Sequence, residues 1–192
     1  MKNYMFILFL LAALFSYSQE NTVADSYLRQ IEGKLDKAKE AIDRDCKDEQ
    51  LKNDPQTWYL KGYIYGELAK SEVYKNICAY PAKESLKAIQ KCHSLDTEEK
   101  YHSECLNVLF EISTIFYDDG VVYYNSGLKS GSEADFAKAV KSFELFFEAI
   151  ETLGENDKIV THLLEYNNIN PNSVNVYTGY SAKMSNDIEK AK

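Results

Sequence analysis

The stretch that decides the fold is DFAKAVKSFELFFEAIETL, residues 135–153. Its apolar side chains recur every three or four residues, at Phe136, Ala139, Val140, Phe143, Phe146, Phe147 and Ile150. This spacing places them on one face of an α-helix, with charged side chains around the rest of the surface. Gly154 follows directly and is a typical residue for ending a helix. The pattern therefore predicts an amphipathic helix whose apolar face is covered by other helices.

Similar periodicity extends along the chain on both sides of this helix. We predict further helices from Ala24 to Asp45, from Pro55 to near Tyr80, from Pro81 to Asp96, from Thr97 to about Tyr124 with a kink near Gly120, and over residues 157–167 and 173–185. A loop is expected over Ser126–Ser132. No window alternates with a period of two for long enough to predict a strand. The chain is therefore expected to be all-α, built from antiparallel helix hairpins.

Composition excludes several classes of protein. The 192 residues are 45% hydrophobic, which is enough apolar surface to offset the entropy cost of folding. This composition excludes an intrinsically disordered chain. Eight Gly and three Pro are too few for the many turns of an all-β sandwich. The net charge of −8 leaves no basic surface for nucleic acid, so we expect no nucleic-acid partner.

The N-terminus has the order of parts of a signal peptide. Lys2 gives a basic start, residues 4–15 are apolar, and small side chains at Ser16 and Ser18 precede Gln19. An apolar run of about 18 Å is too short to cross a ~30 Å hydrocarbon core. We predict that residues 1–18 are a signal peptide, that residues 19–192 form the mature domain without a membrane span, and that the protein is exported to the periplasm, the cell envelope or the extracellular space.

A short motif occurs in two of the predicted helices. An aromatic residue, a glycine and a second aromatic residue follow at spacings of four and three, first at Trp58, Gly62 and Tyr65, then at Phe116, Gly120 and Tyr123. A weaker copy surrounds Gly179. A glycine on such a face lets a second helix approach closely, while the two rings are expected to clamp that helix.

This motif resembles the first helix of the tetratricopeptide repeat, W-x2-L-G-x2-Y, although Lys61 stands in place of the Leu. The A-x3-F motif of the second helix matches Ala139 and Phe143 and, more loosely, Ser85 and Ile89. The resemblance implies a TPR-like α-solenoid with units over residues 55–96, 98–153 and 173–192. The third unit is incomplete, with Asp187, Ile188 and Ala191 at the start of its second helix. The spacing of the copies exceeds the usual ~34 residues, so the first two units carry longer helices or insertions.

The resemblance also implies a partner-binding concave face lined by the first helices. Counted from the aromatic and glycine markers, the positions on that face are Tyr59, Tyr63, Glu67, Tyr117, Val121, Tyr124, Asn125, Val176, Tyr180 and Lys183. Tyrosine combines a large apolar ring with a hydroxyl group and is common at recognition surfaces. The alternative is that several of these rings are half-buried supports between helices. Asn125 could hold a peptide backbone with both groups of its amide.

Motifs for catalysis are missing from the sequence. Gly127–Gly131 lacks the Gly-Lys-Ser/Thr ending of a phosphate-binding loop, and neither HExxH nor GxSxG occurs. Cys92, His93, His102 and Cys105 are possible zinc ligands by type, but Cys92 and His93 point about 100° apart on a helix. We therefore expect a protein that is not an enzyme and uses no cofactor and no metal.

The four cysteines leave two alternatives open. Cys46, Cys92 and Cys105 are expected at one end of the helical array and Cys78 at the opposite end. In an exported protein one disulfide is plausible, with Cys92–Cys105 or Cys46–Cys92 favoured. The other alternative is that all are buried free thiols that pack as small apolar side chains.

The predicted function is that of an exported, non-catalytic adaptor that binds a protein or peptide through a tyrosine-rich concave face. The alternatives are a structural accessory subunit of a cell-envelope assembly and a carbohydrate-binding protein that stacks sugar rings on tyrosine. Because the third unit is too short at Lys192 to cover its own apolar face, we also expect either a longer natural chain or docking of another subunit at the C-terminal end.

Overall fold

The computed structural model describes residues 23, 26, 27, 29, 30, 33–74, 76–154 and 157–186. From residue 33 onward these residues form seven helices and no strand, which confirms the all-α prediction. The helices are α1 (Leu35–Asp45), α2 (Pro55–Lys70), α3 (Pro81–Leu95), α4 (His102–Ser130), α5 (Glu133–Leu153), α6 (Asp157–Tyr166) and α7 (Pro171–Met184). The predicted signal peptide and the predicted start of a helix at Asp187 lie outside the described residues. Within the described part of the chain, no helix is both long and apolar enough to cross a membrane.

The bounds of the first two predicted helices are wrong. The helix predicted from Ala24 to Asp45 is interrupted at Gly33, which has a φ of +71° and whose N–H donates to the carbonyl oxygen of Gln30 at 2.9 Å. Glycine adopts this left-handed conformation at little cost, so a turn forms there. Helix α2 ends at Lys70 instead of near Tyr80, because Ser71 has an extended backbone conformation.

The predicted loop over Ser126–Ser132 is also wrong. Helix α4 continues without interruption to Ser130, and the chain reverses only at Gly131, with a φ of +71°. The Ser132 hydroxyl oxygen then accepts a hydrogen bond from the Asp135 N–H at 3.2 Å and caps α5. The glycines inside α4 allow the close approach of α5.

The chain divides into two compact units between Cys105 and Leu106. In the first unit, α2 packs against both α1 and α3. The Ser85 hydroxyl of α3 donates to the Gly62 carbonyl oxygen at 2.6 Å, and a Cβ added at Gly62 would lie 2.4 Å from the Ile89 side chain. The close approach expected at this glycine is therefore present.

In the second unit, α5 packs against α4, α6 and α7. Phe143 and Phe136 of α5 lie over Gly120 and Gly127 of α4, where an added Cβ would come within 2.4 and 2.9 Å of the respective rings. Both phenylalanines are buried, as is Phe146. The face of α5 that the sequence predicted to be apolar thus forms the core of this unit.

Asp43 of α1 explains why a lysine occupies position 61. The Asp43 carboxylate accepts hydrogen bonds from Lys39 at 2.8 Å and from the Tyr65 hydroxyl at 2.8 and 2.9 Å, and lies 3.4 Å from the Lys61 ammonium. The Lys61 ammonium also lies over the rings of Trp58 and Tyr65, at 5.6 and 5.3 Å. The Tyr65 hydroxyl therefore joins α2 to α1.

This cluster predicts a pH-dependent contribution to stability. Burial raises the pKa of Asp43, but the hydrogen bonds from Lys39 and Tyr65 and the charge of Lys61 outweigh it and hold the pKa below its usual value of 3.8. A group whose pKa is lower in the folded state than in the unfolded state stabilises the folded protein. This stabilisation is complete at pH values above the unfolded-state pKa and is lost as the pH falls through the folded-state pKa. We expect Asp43→Asn to lower the free energy of unfolding by about 1–2 kcal/mol at pH 7.

Urea unfolding at pH 7 and at about pH 3 measures the effect, because the difference between Asp43→Asn and the parent should shrink at the lower pH. Glu40→Gln is the control, since Glu40 lies on the same helix with 67% of its side chain exposed. We expect that change to stay within about 0.5 kcal/mol. A loss for Asp43→Asn that is the same at both pH values would contradict the stabilising role of the carboxylate charge.

Candidate partner-binding surface

Helix α7 carries an exposed apolar stripe. The Asn170 side chain accepts a hydrogen bond from the Asn172 N–H at 2.9 Å and Pro171 occupies the first turn, so the start of the helix is well defined. One face buries Val174, Ser181 and Ala182. Elsewhere on the helix, at spacings of four residues, Val176, Tyr180 and Met184 are 67%, 42% and 38% exposed. These three side chains are called the α7 stripe below.

The ring of Tyr180 is held in place by other aromatic side chains. Its centroid lies 5.9 Å from that of Tyr124 and 5.9 Å from that of Phe136, with edge-to-face geometry in both pairs. Tyr124 in turn lies 4.9 Å from Tyr177. A ring fixed in this way loses little further freedom when a ligand binds, so its exposed part is suited to recognition. Tyr124, Phe136, Tyr177 and Tyr180 are called the aromatic cluster below.

The predicted site residues of the first unit are engaged in contacts within that unit. The Tyr59 ring stacks on Tyr101 at 5.6 Å and lies 6.3 Å from Tyr63, and burial raises the pKa of Tyr59 to about 12. The Tyr63 hydroxyl accepts a hydrogen bond from the Gln30 amide at 3.4 Å. Glu67 forms an ion pair with Lys70 at 2.5 Å. All three predicted residues are half-buried, which is the supporting role that the sequence left open for them.

The predicted site residues of the second unit divide into supports and exposed groups. The Tyr117 ring lies 6.5 Å from Phe143 and 5.8 Å from Phe146, and burial raises the pKa of both Tyr117 and Tyr124. Val121 is half-buried as well. The exposed predicted residues are Asn125, Val176, Tyr180 and Lys183. The structure thus brings Tyr124 and Tyr180 into contact, with Tyr124 mostly as a support and Tyr180 accessible.

Two members of this surface were missed from the sequence. Met184 lies four residues after Tyr180, so extending the helical spacing by one step would have found it. Tyr177 lies close to Tyr124, and its ring is 6.3 Å from Phe143. It belongs to the third copy of the glycine motif, but nothing in the sequence distinguishes a ring that supports the surface from one that binds.

The possible zinc ligands are arranged differently from a metal site. The rings of His93 and His102 lie 6.4 Å apart, while the sulfurs of Cys92 and Cys105 face each other at 3.5 Å. Across the described residues, no group of three or more His, Cys, Asp or Glu side chains is placed to hold a metal ion.

Comparison with known proteins yields no matching family model, no matching curated protein and no matching solved structure. The function is therefore argued from the side chains of this chain alone. The α7 stripe is exposed, and its central ring, Tyr180, is held in place by the aromatic cluster.

Proposed function

We propose that this chain is an exported, non-catalytic helical-repeat protein of the TPR type, and that it binds a protein or peptide partner through the α7 stripe. The observation that carries the proposal is the exposure of Val176, Tyr180 and Met184 on one helix, with Tyr180 held by Tyr124 and Phe136. Apolar and aromatic side chains in such a row match the spacing at which a partner helix or an extended segment presents its own side chains.

The packing around the motif glycines supports the proposal that the chain is built from repeated helix pairs. Gly62 meets Ser85 and Ile89, and Gly120 meets Phe143, so each glycine of the first two copies faces a residue of the A-x3-F-like motif on the following helix. A Cβ at Gly179, the glycine of the third copy, would meet no described atom within 4 Å. We propose that the partner docks against this helix.

The side chains around the stripe define the chemistry of the partner. Tyr180 and Val176 provide apolar area, and Met184 adapts its shape to different side chains. Lys183 and Asn125 are exposed in the same unit and supply a cation and an amide for carbonyl or carboxylate groups. We therefore propose a partner segment with apolar side chains in its centre and polar or acidic groups at its edge.

A charge placed in the stripe tests this function. We expect Val176→Asp to weaken retention of the partner from a cell-envelope extract by about tenfold or more, because a carboxylate buried in an apolar interface loses its hydration. Val73→Asp is the matched control, since Val73 is 83% exposed in the first unit and the substitution adds the same charge. Both changes are at exposed positions, so thermal unfolding of both variants should match the parent.

Identification of the captured material by mass spectrometry separates the alternatives. A stoichiometric protein that binds the parent and Val73→Asp but not Val176→Asp supports the proposal. Equal retention by all three proteins, or retention by glycan resins in place of a protein, would overturn it. Export is tested separately by fusing residues 1–18 to a reporter that is active only outside the cytoplasm, and absence of activity would refute this part of the proposal.

A further inference from the structure

The sulfurs of Cys92 and Cys105 are placed for a covalent bond. They lie 3.5 Å apart, with Cys92 0% and Cys105 6% exposed. Both residues belong to the first unit, Cys92 in α3 and Cys105 in the first turn of α4. A disulfide has an S–S distance of about 2.05 Å, so the two sulfurs must come about 1.5 Å closer to form one. We propose that Cys92 and Cys105 are an oxidative modification site and form a disulfide that joins α3 to α4.

The turn between the two helices positions the pair without help from the sulfurs. The Asp96 carboxylate accepts hydrogen bonds from the N–H groups of Lys100 and Tyr101, at 3.0 and 2.6 Å. The Cys105 N–H donates to the Tyr101 carbonyl oxygen at 2.9 Å, and the Tyr101 ring stacks on Tyr59. The two helix ends are therefore held together by backbone and ring contacts, and the disulfide adds a covalent link to an existing geometry.

The other two cysteines have different surroundings. Cys46 and Cys78 pack against the core shared by α1 and α2, which contains Ile42 and Ile64. In the folded unit burial raises the pKa of the Cys46 thiol to about 11, and the Cys92 sulfur faces that of Cys105 at 3.5 Å. Of the two disulfides that the sequence left open, the structure therefore favours Cys92–Cys105 over Cys46–Cys92.

The oxidant is an exchangeable disulfide such as oxidised glutathione. The Cys92 thiolate attacks one sulfur of glutathione disulfide, and one glutathione leaves as a thiolate. Cys105 then loses its proton and attacks the Cys92 sulfur, which releases the second glutathione. Two protein thiols are oxidised and one disulfide is reduced, so two electrons and two protons are transferred. Because both sulfurs are buried, the exchange takes place while the chain folds.

Peptide mapping after refolding tests the proposal. The unfolded, reduced chain is refolded in a mixture of reduced and oxidised glutathione, alkylated and digested without reduction. Trypsin cuts after Lys91 and Lys100, so Cys92 lies in residues 92–100 and Cys105 in residues 101–129. We expect these two peptides to be linked, with a mass about 2 Da below their sum, and Cys46 and Cys78 to be alkylated. Alkylation of all four cysteines, or a link between any other pair, would overturn the proposal.

Thermal unfolding provides the second measurement. Closing a short loop should raise the melting temperature of the oxidised protein by roughly 5–10 °C over the reduced protein. The variant Cys46→Ala/Cys78→Ala should keep this difference, and Cys92→Ala/Cys105→Ala should lose it. If Cys92→Ala/Cys105→Ala does not fold, Cys46→Ala/Cys78→Ala still tests the proposal. Loss of the difference in melting temperature between its oxidised and reduced forms would show that the disulfide involves another pair of cysteines.

Discussion

Phe143→Ala is expected to lower the free energy of unfolding by about 3–5 kcal/mol, which corresponds to a fall of roughly 10 °C in melting temperature. The Phe143 side chain is fully buried and its ring lies directly over Gly120. Tyr117 and Tyr177 are its neighbours, at 6.5 and 6.3 Å between ring centroids. Removal of the ring leaves a cavity whose opposite wall is a glycine, which has no side chain that could move in to fill it.

Urea and thermal unfolding followed by circular dichroism measure this loss. Tyr166→Ala is the control, because it also truncates an aromatic ring on a helix of the same unit, but at a position that is 74% exposed. We expect that variant to stay within about 0.5 kcal/mol of the parent. If both variants lost the same stability, Phe143 would not be the centre of the core of this unit.

Gly120→Ala is expected to cost about 2–3 kcal/mol, whereas the same substitution at Gly179 is expected to stabilise the protein by about 0.5–1 kcal/mol. Alanine is the better helix former at both positions. At Gly120, however, its Cβ would lie 2.4 Å from the Phe143 ring, and the ring is enclosed by the core and cannot move away. At Gly179 the Cβ meets no described atom within 4 Å. The same substitution is therefore expected to change the free energy of unfolding in opposite directions at the two positions.

The double variant Gly120→Ala/Phe143→Ala separates steric conflict from other causes. Once the ring is absent, the alanine at position 120 no longer collides with it and fills part of the cavity. We expect Gly120→Ala to be neutral or stabilising in the Phe143→Ala background, so the two single changes should not add. Strict additivity would mean that Gly120 is needed for a reason other than the close approach of α5.

The sequence predicted the packing partners in this core, although it predicted the end of α4 incorrectly. The motif around Gly120 and the later Ala139–Phe143 motif indicated which two helices would touch and where. The stretch Ser126–Ser132 was taken as a loop, because its glycines lower the helix propensity of an isolated chain. In the folded unit Phe143 and Phe136 pack along α4, and this tertiary contact outweighs the local preference.

The sequence by itself determined the all-α class, most helix positions and the residues at the close helix approaches, because helical periodicity and glycine spacing are properties of neighbouring residues. Only the tertiary structure decided which tyrosines are accessible. Tyr59, Tyr124 and Tyr180 were all predicted for the partner-binding face. The exposure of Tyr59 and Tyr124 depends on rings distant in sequence, such as Tyr101 and Tyr177. The pairing of Cys92 with Cys105 was decided in the same way, because the distance between two sulfurs is set by how two helix ends meet.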